Sequence, residues 1–216
     1  MRCGLLFFPD TGKMEIMNPV YLSETCLQWS FGETLDEPTV RTTLCAFRQL
    51  QRAKLPGVLD IVPAYNKLAV HFEAATDVES AISTLLSKAK PAKVIEGTLH
   101  TLPAYYDGED LPQVAQHCGL SIEEVISRHS TPVYLVAMIG FQPHFPYLFG
   151  LDPSLETSRL KTPRLQVPAG AIAIGGAQTG IYPSVSPGGW HLIGRTDPTA
   201  LKALQPGDQI QFEVRT

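Results

Sequence analysis

The sequence lacks the short motifs that identify several large enzyme classes. It contains no GxSxG elbow, no Walker A loop, no GxGxxG fingerprint and no HExxH pair. Hydrolases built on a serine elbow, P-loop proteins, dinucleotide-binding enzymes and zinc proteases of these types are therefore not supported. The chemistry has to be sought in residues that carry no standard signature.

Cysteine is scarce and scattered. The four cysteines, Cys3, Cys26, Cys45 and Cys118, include no CxxC pair, so we expect neither a metal site nor a disulfide framework. Reduced thiols are typical of a cytosolic protein. The first residues contain too short an apolar run for a secretory signal, and we expect a cytoplasmic protein.

Charged residues are also few, at 18% of 216 residues against 44% hydrophobic, and the net charge is −4. This composition predicts a globular chain with enough apolar side chains for a core. The small negative charge gives no support for binding nucleic acid. The run from Leu165 to Gly194 has no charged residue, but Gly, Pro and Gln interrupt it too often for a membrane-spanning helix. We expect neither nucleic acid nor a membrane as a partner.

Glycine is concentrated in one part of the chain. The stretch Met138–Arg195 holds 9 of the 17 glycines, and Arg159, Arg164 and Arg195 lie at or near the edges of its charge-free run. Short buried strands joined by tight turns fit this pattern, because Gly supplies positive φ and Pro fixes turn geometry. A rigid, uncharged concavity of this kind is typical of a small-molecule pocket. The alternative is a β-barrel core with Gly-rich turns.

The first half of the chain alternates strand and helix patterns. After an extension, the periodicity predicts strand, helix, strand, strand, helix, strand, and the last strand is Val94–Leu99. Asp36 is predicted to cap the first helix, and Thr76 with Glu79 to form a capping box at the second. This order matches the split βαββαβ, ferredoxin-like unit.

The second half is mostly β. A helix at Leu111–His117 and a second helix, with Ser121 and Glu124 as its capping box, precede the strand Val133–Ile139. The fold class is therefore predicted to be α+β. The predicted parts are an N-terminal extension at residues 1–22, a ferredoxin-like domain at 23–100 and a mostly β domain at 101–216.

Two residues are candidates for catalysis. His129 ends a helix and could transfer protons near neutral pH, or it could merely cap helix carbonyls. Arg164 lies on a stiff loop between Pro163 and Pro168 and suits bidentate binding of carboxylate or phosphate. Its alternative role is a structural salt bridge. His129 and Arg164 are the predicted catalytic residues.

The remaining candidates are predicted to bind substrate. Amide and hydroxyl groups at a Gly turn can bind a substrate amide, and a Gly-Gly-Trp turn can offer backbone N–H groups and an aromatic wall. Local turn bonding or core packing is the alternative for each. The set is Gln142, Tyr147, Gln178, Thr179, Tyr182, Gly188, Gly189 and Trp190. We predict that both catalytic candidates meet Gln178 and Tyr182 in one concavity, with the Arg164 guanidinium free for an anionic ligand.

Several long segments resemble one protein family. They are GFQPHFPYL, TPRLQVPAGAIAIGGAQTGIYP and SPGGWHLIGRT, with YYDGEDLPQVAQHCGLSIEEVISRHS upstream. They resemble the family of the B subunit of bacterial 5-oxoprolinase, which is also described as allophanate hydrolase subunit 1 or as the sporulation kinase inhibitor KipI. The resemblance covers roughly residues 103–215, and the first half of the chain matches more loosely.

The resemblance implies a ferredoxin-like N-terminal domain and a cyclophilin-like β-barrel domain. It implies a hetero-oligomeric assembly, in which this chain and the A and C subunits of 5-oxoprolinase open 5-oxo-L-proline to L-glutamate with ATP. ATP is expected at the level of the complex, and the single chain is expected to be inactive. The alternative within the same family is a regulatory protein that binds and inhibits a sensor histidine kinase.

Five features depart from the family pattern, and one of them is Ser23-Glu24 in place of the family's opening Gly-Asp. His144 stands where Gly is usual, Ser158 where Pro is usual and Ala171 where Ser is usual. After Arg195 the segment that the family usually carries is shortened. The departures leave the predicted fold unchanged.

Overall fold

The computed structural model describes residues 18–73, 78–87 and 97–216. Within these ranges the strands form a four-stranded sheet, a closed barrel and a two-stranded sheet. None of the helices in the described ranges is both long and apolar enough to cross a membrane. The predicted capping residue Thr76 and the part of the predicted extension before residue 18 lie outside the described residues.

The first part of the chain forms the four-stranded sheet and two helices. Its elements are β1 (Val20–Ser23), β2 (Cys26–Ser30), α1 (Glu37–Ala53), β3 (Val58–Ala64), β4 (Lys67–Phe72) and α2 (Val78–Ser87). The strands pair antiparallel in the order β1-β2-β4-β3. Helix α1 begins as predicted, because Asp36 Oδ1 accepts a hydrogen bond from the Thr39 backbone N–H at 2.8 Å.

This part differs from the predicted βαββαβ order. The described elements run ββαββα, and the sheet edge beside β2 is occupied by β1, which comes from the predicted extension. The first half of the predicted fourth strand, Val94–Leu99, lies outside the described residues, which exclude 88–96, and its last residue begins the next strand, Leu99–Tyr105. The ferredoxin-like arrangement and the division into domains therefore stay predictions, whereas the mixed α+β class is confirmed.

The rest of the chain builds the barrel and its flanking helices. Its elements are β5 (Leu99–Tyr105), α3 (Leu111–Cys118), α4 (Ile122–Ser130), β6 (Val133–Ile139), β7 (Pro146–Phe149), β8 (Arg164–Val167), β9 (Ala171–Gly175), β10 (Gln178–Ile181), β11 (Ser186–Gly188), β12 (His191–Arg195) and β13 (Gln209–Arg215). Seven strands close the barrel in the order β10-β7-β6-β13-β5-β12-β9, and β8 with β11 forms the two-stranded sheet. The predicted barrel is thus confirmed.

Strand β5 belongs to the barrel and pairs parallel with β13, whereas every other barrel pairing is antiparallel. Leu102 lies opposite Phe212 in this pairing, and both side chains are buried. Burying alternate residues of β5 against the barrel core explains why it joins the barrel and not the first sheet.

Local sequence signals in the second half of the chain are also confirmed. The Ser121 hydroxyl accepts from the Glu124 backbone N–H at 3.2 Å, and the Glu124 carboxylate accepts from the Ser121 N–H at 2.8 Å. This reciprocal capping box fixes the start of α4. Gly119 ends α3 in the left-handed region at φ 67°, which a glycine adopts without steric cost.

The first sheet and the barrel share an apolar contact. Val40 and Leu44 of α1 form one buried cluster with Leu135 and Ala137 of β6. Tyr65, in the β3–β4 turn, packs edge-on against Tyr147 of β7 with ring centroids 6.4 Å apart. The two parts are therefore joined by side-chain packing at β6 and β7.

We expect Leu44→Ala to lower the free energy of unfolding by about 2–4 kcal/mol, because the truncation leaves a cavity in this cluster. Leu59→Ala, at a leucine that is 66% exposed, is the control and should change it by no more than about 0.5 kcal/mol. Urea denaturation checks both values. Equal effects for the two variants would contradict this packing.

Candidate functional site

His129 lies in the barrel interior at the end of α4 and has no exposed surface. Its ring packs 5.0 Å from Phe212 and 5.5 Å from Tyr134, and its backbone carbonyl accepts from the Tyr134 hydroxyl at 2.8 Å. The sequence predicts His129 in a concavity open to ligand. The structure places it in the core instead.

The hydrogen bonds of His129 determine its protonation. The Thr179 hydroxyl donates to the Ala173 carbonyl at 3.0 Å, so Nε2 of His129 must donate to that hydroxyl, at 2.9 Å. Nδ1 is then free to accept from the Tyr106 hydroxyl at 2.8 Å. Burial lowers the pKa of His129 to about 3, so the ring is neutral near pH 7. This neutral ring joins α4 to β10 and to the segment after β5, and it does not face a substrate site.

Arg164, at the start of β8, is held by two carboxylates. Its Nη2 contacts Asp110 Oδ1 at 2.6 Å, and its Nε contacts Glu109 Oε1 at 2.7 Å. Asp110 is buried, and its second oxygen accepts from the Leu192 backbone N–H at 2.6 Å. Although burial alone would lower the pKa of Arg164, the two carboxylates raise it. The prediction that this guanidinium is free for a ligand is therefore wrong, because the ion pair ties β8 to the start of α3 and to β12.

A cleft of about 310 Å³ lies beside the barrel at the β11–β12 turn. Besides aromatic residues, its lining consists of one arginine, one leucine, two prolines and two glycines. The aromatic side chains are those of Phe141, Phe145, Tyr147, Tyr182 and Trp190. The volume is at the small end of ligand pockets, which run from about 300 to 1,000 Å³.

The aromatic rings form one continuous packed wall. Phe145 lies 4.9 Å from the Tyr147 ring and 5.1 Å from the Tyr182 ring, measured between centroids. It is also 5.7 Å from the Trp190 ring, which contacts Tyr147 at 5.6 Å. Most of these contacts are edge-to-face, the arrangement that aromatic quadrupoles favour. The wall is therefore rigid before any ligand arrives.

Two glycines make this packing possible. A Cβ added at Gly188 would overlap the Tyr182 hydroxyl, and one added at Gly175 would lie 2.5 Å from a carbon of the Trp190 ring. Tyr182 also packs edge-on against Phe145. The Gly-rich sequence thus serves the close approach of backbone to aromatic ring.

The structure brings together only part of the predicted substrate-binding set. Five of its members line the cleft, namely Tyr147, Tyr182, Gly188, Gly189 and Trp190. The Thr179 side chain is buried on His129, and Gln178 begins β10 without reaching the lining. Gln142 accepts from the Ser184 hydroxyl at 2.9 Å and so holds the loop beside Phe141. The predicted convergence of His129, Arg164 and Gln178 on one concavity is therefore wrong.

Arg159 is the charged residue of the described lining, and the predicted site set did not include it. Its guanidinium carbon lies 5.7 Å from the centre of the Trp190 ring. Three arginines lie near the charge-free run, and the flanking prolines favoured Arg164 as the ligand-binding one. The structure separates them, because Arg164 pairs with Asp110 and Glu109, and Arg195 pairs with Asp107 at 2.8 Å. Arg159 forms no ion pair with any residue of the described ranges.

Three of the departures from the family pattern have a structural account. His144 has φ 68°, a left-handed conformation that glycine adopts more readily. Ser158 contributes its carbonyl, which accepts from His191 Nε2 at 3.0 Å. Ala171 is buried at the start of β9. After Arg195, the short helix Pro198–Ala203 buries Leu201 in the core.

The cleft is poorly suited to metal ions and to triphosphates. Across the described ranges, no three His, Cys, Asp or Glu side chains are grouped so as to hold a metal ion. A triphosphate needs several cationic or backbone donors, and the described lining provides a single arginine and no lysine. An uncharged or singly anionic small molecule fits the lining better.

Comparison with known proteins gives consistent relatives. A family model described as carboxyltransferase domain, subdomain C and D, matches residues 17–206. The chain is 39% identical to the B subunit of 5-oxoprolinase from Haemophilus influenzae, over 92% of its own length and 98% of that protein. It is 40% identical to the B subunit of 5-oxoprolinase from Escherichia coli O157:H7, over 73% of this chain and 78% of that one.

A solved structure supports the fold. The crystal structure of TTHA0988 superposes with a TM-score of 0.80 at 38% sequence identity. The match covers 88% of this chain but 40% of TTHA0988, so that protein carries a large further part. The same architecture therefore occurs within a longer chain.

We expect the buried His129 to make the protein sensitive to acid. Because its folded-state pKa lies below the ordinary value of 6.5, the unfolded chain binds more protons between about pH 6.5 and about pH 3. The free energy of unfolding should therefore decrease as the pH is lowered through this window, by up to about 1.4 kcal/mol per pH unit for one proton. Denaturation of His129→Gln at several pH values should give a shallower slope than wild type.

His117→Gln is the matched control for this measurement, because His117 is exposed in the last turn of α3. It should keep the wild-type slope. An unchanged slope in His129→Gln would show that this ring does not resist protonation in the folded protein.

We expect Arg164→Ala to lower the free energy of unfolding by about 2–3 kcal/mol, because it leaves the buried Asp110 without its cation. This is below the roughly 3–5 kcal/mol of a fully buried pair, since Arg164 is 23% exposed. Arg215→Ala, which breaks an exposed pair with Glu213, should cost at most about 0.5 kcal/mol. Thermal or urea denaturation compares them, and a fully stable Arg164→Ala would contradict this role.

Proposed function

The chain belongs to the carboxyltransferase-domain family that includes the B subunit of 5-oxoprolinase, and from this membership we propose that it acts as the B subunit of such an enzyme. The observation that carries the proposal is the match over 98% of the Haemophilus influenzae protein at 39% identity. The reaction is the opening of 5-oxo-L-proline to L-glutamate. The aromatic cleft is where the chain would meet the substrate.

The chemistry of the cleft fits a role in binding. Apart from Arg159, the described lining has only aromatic, leucine, proline and glycine residues. It contains no carboxylate, histidine, serine or cysteine that could act as a base or nucleophile. His129 is buried and neutral, and Arg164 is occupied by carboxylates. The groups that perform the hydrolysis are therefore proposed to come from partner subunits.

Two partners, the A and C subunits, are proposed to complete a hetero-oligomeric enzyme. The lactam of 5-oxoproline is a stable amide, so its opening needs activation at the expense of ATP. Because a single arginine does not fit a triphosphate, we assign ATP to a partner and not to this cleft. The present chain would hold the substrate and exclude water from its apolar faces.

Inhibition of a sensor histidine kinase is not favoured as the alternative. The relatives from Haemophilus influenzae and Escherichia coli are both named as the B subunit of 5-oxoprolinase, and they match most of the chain.

Reconstitution tests this function. The purified chain alone should give no release of L-glutamate from 5-oxo-L-proline, with or without ATP, because the described lining has no carboxylate, histidine, serine or cysteine. Addition of the A and C subunits from the same source should give ATP-dependent release. The assay measures glutamate and ADP together, and the A and C subunits without this chain form the control.

Turnover by the chain alone would show that it contains its own catalytic groups. Equal turnover by the A and C subunits with and without this chain would show that it is not a working part of the enzyme.

A further inference from the structure

Among the described residues, Arg159 is the one cation that lines the cleft. Its side chain is exposed, and its guanidinium lies over the face of Trp190. It has no acidic partner among the described residues, unlike Arg164 and Arg195. A guanidinium presents paired N–H donors that match the two oxygens of a carboxylate. An unpaired guanidinium at an apolar wall is therefore poised for an anionic ligand.

The backbone around Arg159 is fixed on both sides. Thr157 exchanges hydrogen bonds with Gly176, at 3.3 and 2.7 Å. The Ser158 carbonyl accepts from His191 Nε2, and the Leu160 N–H donates to the Gly189 carbonyl at 2.8 Å. These bonds hold the segment against the barrel on one side and the Gly-Gly turn on the other. Little backbone freedom remains to be lost when a ligand binds Arg159.

The Arg159 charge acts on two tyrosines of the cleft. Burial raises the pKa of Tyr182 and of Tyr147, and the Arg159 charge acts in the opposite direction on both hydroxyls. Both tyrosines line the cleft. The guanidinium and these hydroxyls thus belong to the lining of one cleft, and the guanidinium lies 5.7 Å from the centre of the Trp190 ring.

We propose that Arg159 binds the carboxylate of 5-oxo-L-proline while the aromatic wall encloses the lactam ring. The ligand's identity rests on the proposed function, whereas its class, a small monocarboxylate with a compact apolar ring, rests on the cleft. One cation matches one carboxylate. Because the described lining contains no acidic group, the positive charge of Arg159 is not offset within the cleft and attracts the ligand's carboxylate. The packed rings match the methylene faces of the lactam.

The chain offers a direct probe of this site. It has two tryptophans, and Trp190 lines the cleft, whereas Trp29 is buried in the first sheet. The indole N–H signal of Trp190 in an NMR spectrum should shift on titration with 5-oxo-L-proline, and that of Trp29 should stay in place as an internal reference. Trp29→Phe assigns the two signals.

The matched variants isolate the charge of Arg159. Arg159→Met keeps an unbranched side chain over Trp190 but removes the guanidinium. It should raise the Kd for 5-oxo-L-proline by about tenfold or more, the effect expected for a hydrogen bond to a charged group. It should leave the Kd for the uncharged 5-oxo-L-prolinamide within about twofold, since that ligand has no carboxylate to lose. Arg195→Met removes another arginine that lies over an aromatic ring, Tyr105, and should change neither Kd.

The outcomes separate this inference from the proposed function. Loss of affinity for the acid alone in Arg159→Met supports the inference. A Trp190 signal that does not move in wild type, or equal Kd values for wild type and Arg159→Met, overturns it. Reconstituted turnover tests the enzyme role without reference to Arg159. Turnover that persists with an unchanged KM in Arg159→Met would reject the carboxylate site and leave the proposed enzyme function in place. Binding of the acid that depends on Arg159, without turnover in the reconstituted mixture, would reject the enzyme function and leave the carboxylate site in place.

Discussion

The ion pair between Asp110 and Arg164 is the constraint on which the arrangement of the cleft depends. Asp110 is buried at the start of α3 and uses its two oxygens for Arg164 and for the Leu192 N–H. Arg164 also reaches the Trp190 carbonyl at 3.4 Å. One carboxylate therefore holds the two-stranded sheet and the β12 strand in a fixed relation. Trp190 lies between them and forms part of the aromatic wall.

The cleft combines a rigid apolar surface with a single free charge. The rings pack on one another because Gly175 and Gly188 leave room for Trp190 and Tyr182. Two of the three arginines near this surface are neutralised by acidic residues of the segment between β5 and α3. Arg159 is the arginine that remains for a ligand. Because its neighbours are paired with carboxylates, the proposed site presents the charge of Arg159 to an anionic group.

Local features were predictable from sequence, and distant partnerships were not. Asp36 and Ser121 cap their helices as expected, because a cap depends on residues three positions away. The strand Val133–Ile139 has the bounds that its apolar pattern predicts. The helix-end position of His129 suggested catalysis, but Thr179 and Tyr106 come from separate elements and bury it. The flanking prolines of Arg164 suggested a free ligand-binding loop. Its partner Asp110 lies 54 residues away in the sequence, so the ion pair could not be read from the neighbouring residues.

The sequence by itself determined the α+β class, the helix caps at Asp36 and Ser121, several strand positions and the Gly-rich aromatic stretch that forms the cleft. These follow from spacing and side-chain type within a few residues. Only the tertiary structure decided that β5 joins the barrel, that His129 is a neutral core residue and that Arg159 is the unpaired arginine at the cleft. Burial and charge pairing depend on which distant residues the closed barrel brings together, and a linear pattern does not specify those distances.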